Sequence, residues 1–87
     1  MAELNNTIRG HIENDLLRGS KISDDENLLL TGRLDSLAVM SLVTFIETEF
    51  QISVPFEEVL IENFETVDAI AIYVATKQEA ARPPPTL

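Results

Sequence analysis

Residues 36–50 read SLAVMSLVTFIETEF. Val39, Leu42, Val43, Ile46 and Phe50 fall at i, i+3, i+4, i+7 and i+11, which is one apolar face of an amphipathic helix. Asp35 or Ser36 is a natural N-cap, because a short oxygen-bearing side chain can accept from the helix's first free N–H groups. Leu37, Met40, Ser41, Thr44 and Glu47 occupy the other side. That second face carries less charge than a solvated helix surface normally does.

Upstream, Ile8, Ile12 and Leu16 recur every four residues, with Leu17 widening the stripe. The spacing predicts a first helix over about 6–17, ended by Gly19-Ser20. Residues 18–34 form a long connection. Ser23-Asp24-Asp25-Glu26 has capping-box spacing and predicts one helical turn there, while Leu28-Leu29-Leu30 provides apolar anchors that pin the loop. Downstream, Gln51 to Pro55 reads extended, and Pro55 suits the first position of a short helix. Glu57 and Glu58 then sit in its first turn, with Phe56, Val59 and Leu60 packing inward. Residues 63–66 read as a turn. Thr66 caps a last helix that turns Val67, Ile70, Ala71 and Val74 inward. Three successive prolines, Pro83 to Pro85, cannot continue a helix. The division expected is a folded domain over 1–79 and a flexible Pro-rich tail over 80–87. The architecture expected is an all-α, four-helix bundle with a long loop between the first two helices and a short third helix.

Composition narrows the function classes. Fifteen acidic residues stand against six basic ones, a net charge of −9. Phosphate recognition needs clustered Lys and Arg, so nucleic acid is excluded as the expected partner. An acidic domain is suited to steering onto basic patches of larger proteins. No apolar run approaches the roughly 20 residues a membrane helix requires. The opening Met-Ala-Glu-Leu-Asn-Asn lacks the basic and apolar regions of a signal peptide, so a cytoplasmic location is expected by elimination. There is no cysteine, and hence no disulfide, thiolate ligand or thiol nucleophile. The single histidine, His11, reads as a surface or half-buried helix residue. Ser23-Asp24-Asp25-Glu26-Asn27 is acidic but lacks the glycine and distal glutamate of a calcium loop, so no metal site is expected.

What remains is Leu34-Asp35-Ser36-Leu37 at the head of the best helix. Taken alone, Asp-Ser before a helix is a cap. A serine hydroxyl at a helix start is also exposed beside free N–H groups, where an anionic phosphodiester is favoured. No group nearby would activate the hydroxyl, so any modification must come from another enzyme.

Asp35-Ser36-Leu37, the run Phe50-Gln51-Ile52-Ser53-Val54-Pro55 and Thr66-Val67-Asp68-Ala69-Ile70 together resemble the acyl carrier protein family, over about Ile8 to Val74. The resemblance implies that Ser36 receives 4′-phosphopantetheine from coenzyme A through a phosphopantetheinyl transferase that recognises Asp35. It implies a non-catalytic carrier, monomeric, whose cargo rides as a thioester on the arm's thiol. It also implies a partner face of Leu37, Met40, Ser41, Thr44 and Glu47. Acyltransferases or acyl ligases, ketosynthases and other acyl-processing enzymes would meet that face. Val39, Val43, Ile46 and Val59 are expected to line a gap for a short acyl chain. Ala38 and Ser41 stand where carriers of bacterial fatty acid synthesis usually have acids. That departure favours a specialised polyketide, hybrid or modified-lipid pathway. A stand-alone aminoacyl or peptidyl carrier is the nearest alternative. An unmodified acidic helical adaptor, with Ser36 only a cap, is the alternative of another class.

Overall fold

The computed structural model describes residues 2–81. It is all-helical, with no strand among the described residues. Helix α1 spans Ala2–His11 and runs on as a wider π turn over Ile12–Leu16. Helix α2 is Ser36–Phe50, α3 is the single turn Ile61–Phe64, and α4 is Val67–Ala81, with a 3₁₀ turn Phe56–Glu58 before α3. This is a four-helix bundle with a long first connection and short elements between α2 and α4.

The periodicities explain the core. Ile8 and Ile12 from the first helix meet Leu42, Val43 and Ile46 from α2 and Val67, Ile70, Ala71 and Val74 from α4. Burying each of the larger side chains stabilises by about 1.5–3 kcal/mol. Phe64 on α3 joins them, its ring 5.6 Å from that of Tyr73. Val39 and Phe50, at the two ends of the α2 stripe, are only half-buried.

Local chemistry sets the boundaries. Asp35 is the α2 cap: its Oδ1 accepts from Ala38 N–H at 2.8 Å. Thr66 Oγ1 accepts from Ala69 N–H at 2.9 Å, the cap expected for α4. Helix α2 ends on Gln51 in the left-handed region, φ 55°. Gly32 turns the chain into the Leu34-Asp35-Ser36 segment at φ +78°, a value L side chains rarely adopt.

Several expectations need correction. The first helix starts at Ala2, four residues earlier than the apolar stripe indicated, since its polar first turn carries no such signal. The Ser23–Glu26 segment makes one turn, with Glu26 N–H reaching Ser23 O at 3.3 Å, and not a helix. Its side chains are drawn elsewhere: Glu26 pairs with Arg33 at 2.8 Å and Asp24 with Arg9. Among the three loop leucines, Leu28 is fully buried and Leu29 half-buried, whereas Leu30 is 85% exposed. Pro55 caps the 3₁₀ turn and does not open it. Residues 61–64 form α3 where a turn was expected. Ala80 and Ala81 belong to α4, and the rest of the expected Pro-rich tail lies outside the described residues.

The long loop is tied down by backbone as well as by side chains. Leu28 N–H donates to Glu65 O at 2.7 Å and Asp68 N–H to Asp24 O at 3.0 Å, fastening it to the start of α4. Glu13 is buried and accepts from Ile22 N–H at 2.9 Å, which satisfies a carboxylate that would be costly to bury alone. Asn5 Nδ2 donates to Asp24 at 3.0 Å and to Asp68 at 2.8 Å, joining α1, loop and α4. These donations, led by Asn5 and followed by Arg9, hold the Asp24 carboxyl below its ordinary value.

Candidate functional site

Ser36 is the first residue of α2 and is exposed. Its position follows from the cap one residue before it. Asp35 is extended at φ −96°, ψ −176° and accepts from Ala38 with its side chain, while its carbonyl accepts from Val39 N–H at 2.9 Å. The helix therefore begins at a fixed residue with its axis aimed past Ser36. The leading N–H groups have no carbonyl four residues back within the helix, and the dipole adds partial positive charge there. Such a place favours an anionic group.

An open groove begins at this hydroxyl. Asp35, Ser36, Val39 and Met40 form one wall, Phe56, Val59, Leu60 and Ile61 the other, and Leu29 and Leu34 the floor. Val39 and Val59 line it as expected. Val43 and Ile46 do not: both are buried in the core. The inward packing expected of Phe56 and Leu60 also fails. Phe56 is 83% exposed, Leu60 45% and Ile61 70%. A three-residue 3₁₀ turn followed by a one-turn helix is too short for periodicity to fix a face, so sequence gave no phase for these side chains.

Polar contacts anchor the second wall. Glu58 Oε1 accepts from Tyr73 O–H at 2.6 Å and pairs with Lys77 Nζ at 3.0 Å, both on α4. Asn63 Nδ2 donates to Glu58 O at 2.9 Å. The tyrosine bond, with help from Lys77, lowers the Glu58 carboxyl. Burial, together with the Glu58 carboxylate, raises the Tyr73 hydroxyl well above its ordinary value. The two shifts are what one shared proton-donating contact would produce.

Of the other α2 residues singled out, Leu37 is 81% exposed and Met40 49%. Ser41 and Thr44 are exposed, and Thr44 O–H donates to Met40 O at 3.2 Å. Glu47 stands apart. It is half-buried, and its Oε2 accepts from Val54 N–H at 2.9 Å, so it holds the chain after α2 in place. His11 lies away from the groove, its ring stacked on Phe45 at 3.8 Å with Nδ1 2.8 Å from Asp15. No histidine borders Ser36. An exposed hydroxyl without a base, opening on an apolar groove, is suited to receive a group delivered by another protein.

A domain of this build, a helical bundle presenting one serine at a helix start beside an apolar groove, is a carrier. The family model described as phosphopantetheine attachment site matches residues 6–74. The chain therefore belongs to that family. No curated protein matches it. Domains of this family are non-catalytic, are the site of covalent 4′-phosphopantetheine attachment, and work with phosphopantetheinyl transferases and acyl-processing enzymes. Among the described residues no helix is long and apolar enough to cross a membrane.

Proposed function

We propose that the protein is an acyl carrier whose 4′-phosphopantetheine is attached at Ser36, with residues 1–79 as the carrier unit and a specialised polyketide, hybrid or modified-lipid pathway as its setting. The observation that carries the reading is Ser36 itself: an exposed hydroxyl on the first residue of α2, fixed by the Asp35 cap. The residues present fit the group. A phosphodiester on Ser36 would sit at the helix start without burying charge, next to leading N–H groups, and the groove gives its apolar portion a surface to follow.

When bound, the group supplies the thiol that the chain lacks, on which an acyl unit is held as a thioester. The chain's own residues do the rest. Asp35 keeps the helix start rigid and stands exposed beside the serine, where a metal-dependent transferase can read it. Val39, Val59, Leu29 and Leu34 offer apolar shelter. Leu37, Met40, Ser41 and Thr44 belong to the face that partner enzymes approach. Glu47 serves that face only by fixing the chain behind it.

An acyl cargo is favoured over an aminoacyl one by the groove, whose walls and floor are mostly aliphatic and aromatic. The low charge of α2 is compatible with either cargo and speaks against a role in housekeeping fatty acid synthesis. The test is mass spectrometry of the protein isolated from its native cell. An arm bearing an acyl group is the expected result. An arm bearing an amino acid or peptide would assign the protein to non-ribosomal peptide assembly, and a bare Ser36 would leave the adaptor reading.

A further inference from the structure

We infer that the docking face extends across the groove, with its larger apolar half on the connection between α2 and α4. We assign it to a partner enzyme presenting an apolar depression rimmed by lysine or arginine. The inference rests on the acyl carrier reading and adds the partner's surface chemistry to it.

Exposure is the first argument. Met40, Phe56, Leu60 and Ile61 all line the groove that starts at Ser36, and among the described residues only Leu30, Leu37 and Ile72 join them as exposed large apolar side chains. Exposed apolar area gathered in one place marks a contact surface, whereas single scattered residues do not. Phe56 contributes little to the fold, since most of its surface faces water. An aromatic ring with no packing role at the edge of a functional groove is suited to anchor a partner.

Rigidity is the second argument. Segment 56–60 is held to α4 through Glu58, which binds Tyr73 and Lys77, and to α3 through Asn63. Phe56 and Ile61 are thus presented on a braced backbone, which lowers the ordering cost of docking.

Charge selects the occupant. Exposed Glu57 and Glu62 directly follow Phe56 and Ile61 in the chain, and exposed Asp35 stands at the other wall. None of the three takes part in an ion pair among the described residues. A second copy of this chain would set these acids against one another. An enzyme with basic groups around an apolar centre complements them. Glu47 is not available for that role, because it is bound to Val54 N–H.

The test uses the full chain, coenzyme A and a broad-range phosphopantetheinyl transferase as the probe partner. Phe56→Ser with Ile61→Ser is expected to raise KM for the carrier about tenfold or more with kcat little changed. Glu57→Gln with Glu62→Gln is expected to raise it only about two- to threefold, an effect that high salt removes. Ile72→Ser, an exposed apolar change outside the groove, should leave KM unchanged. Far-UV circular dichroism checks that all variants keep their helices. A wild-type KM for F56S/I61S, with Ser36 still modified, overturns the inference and leaves the carrier reading intact. A dimer of the unmodified chain that F56S/I61S dissolves would give the face to a second copy and overturn it equally. Wild-type protein that takes no pantetheine at all fails the carrier reading itself.

Discussion

The side of the bundle where α1, the long loop and the start of α4 meet differs in kind from the side that holds Ser36. On the first, apolar side chains are sealed and charges are matched: Leu28 is fully buried, Asp24 is held by Asn5 and Arg9, and Glu13 caps the backbone of Ile22. On the second, Leu37, Met40, Phe56 and Ile61 face water, and Asp35, Glu57 and Glu62 stand without cationic partners. Stability is concentrated where groups are mutually satisfied. Recognition is concentrated where the chain leaves apolar and acidic groups unused. The Glu58–Tyr73–Lys77 contact is the join between them, a polar brace that belongs to the first kind of structure and supports the second.

The sharpest way to break this contrast is to cut the same kind of atom from each side. Leu42→Ala removes a fully buried side chain and is expected to cost about 2–5 kcal/mol, read from urea unfolding midpoints. Phe56→Ala removes a larger side chain that is 83% exposed and should change stability by no more than about 0.5 kcal/mol. Similar losses for the two would erase the distinction.

Next comes the acid and alkaline behaviour of the unfolding free energy. Asp24 and Glu58 are held below their ordinary values of 3.8 and 4.5. Their contribution is therefore present above those values and lost as pH falls below them. Tyr73 is raised above its ordinary 10.0, so the stability it contributes is complete below pH 10 and falls as the medium becomes more alkaline. Asp24→Asn and Glu58→Gln should each flatten the acid limb, and Tyr73→Phe should remove the alkaline fall. A Tyr73→Phe profile identical to wild type above pH 10 would show that the brace is not formed.

The cap gives a smaller, cleaner effect. Asp35→Ala should cost about 1 kcal/mol, while Asp35→Asn, which can still accept from Ala38, should cost a few tenths. Transferase activity sharpens the point. If Asp35 is read as a carboxylate, Asp35→Asn slows modification although the helix start is kept. If it acts only as a cap, Asp35→Asn is modified at the wild-type rate. Smallest of all is Arg9→Ala, whose partly exposed pair with Asp24 should be worth about 0.5–1 kcal/mol, declining with salt.

Sequence revealed the first side of this comparison far better than the second. The α2 boundaries, the Thr66 cap and the inward residues of α4 all followed from period and cap chemistry, because long buried stripes repeat often enough to fix a phase. Ser36 was legible for the same reason: a polar pair immediately before a strong apolar stripe can only lie at a helix start. The groove's second wall was not. Phe56, Leu60 and Ile61 sit in elements of three and four residues, where one rotation of the chain separates core from surface and no pattern records it. Glu47 misled for a related reason. Its place on the outer face of α2 was right, but a hydrogen bond to Val54, seven residues on, is set by how the chain leaves the helix. Ala38 and Ser41 told in advance that α2 would lack acids, without telling where acids and apolar groups would be displayed instead.

The account stands on the hydroxyl at the head of α2. Purified protein, coenzyme A and a broad-range phosphopantetheinyl transferase, followed by intact mass of wild type, Ser36→Ala and Ser41→Ala, puts the question to that atom. The expected result is one phosphopantetheine on wild type and on S41A, and none on S36A. A phosphopantetheine gained by S36A, or none gained by wild type, would contradict it.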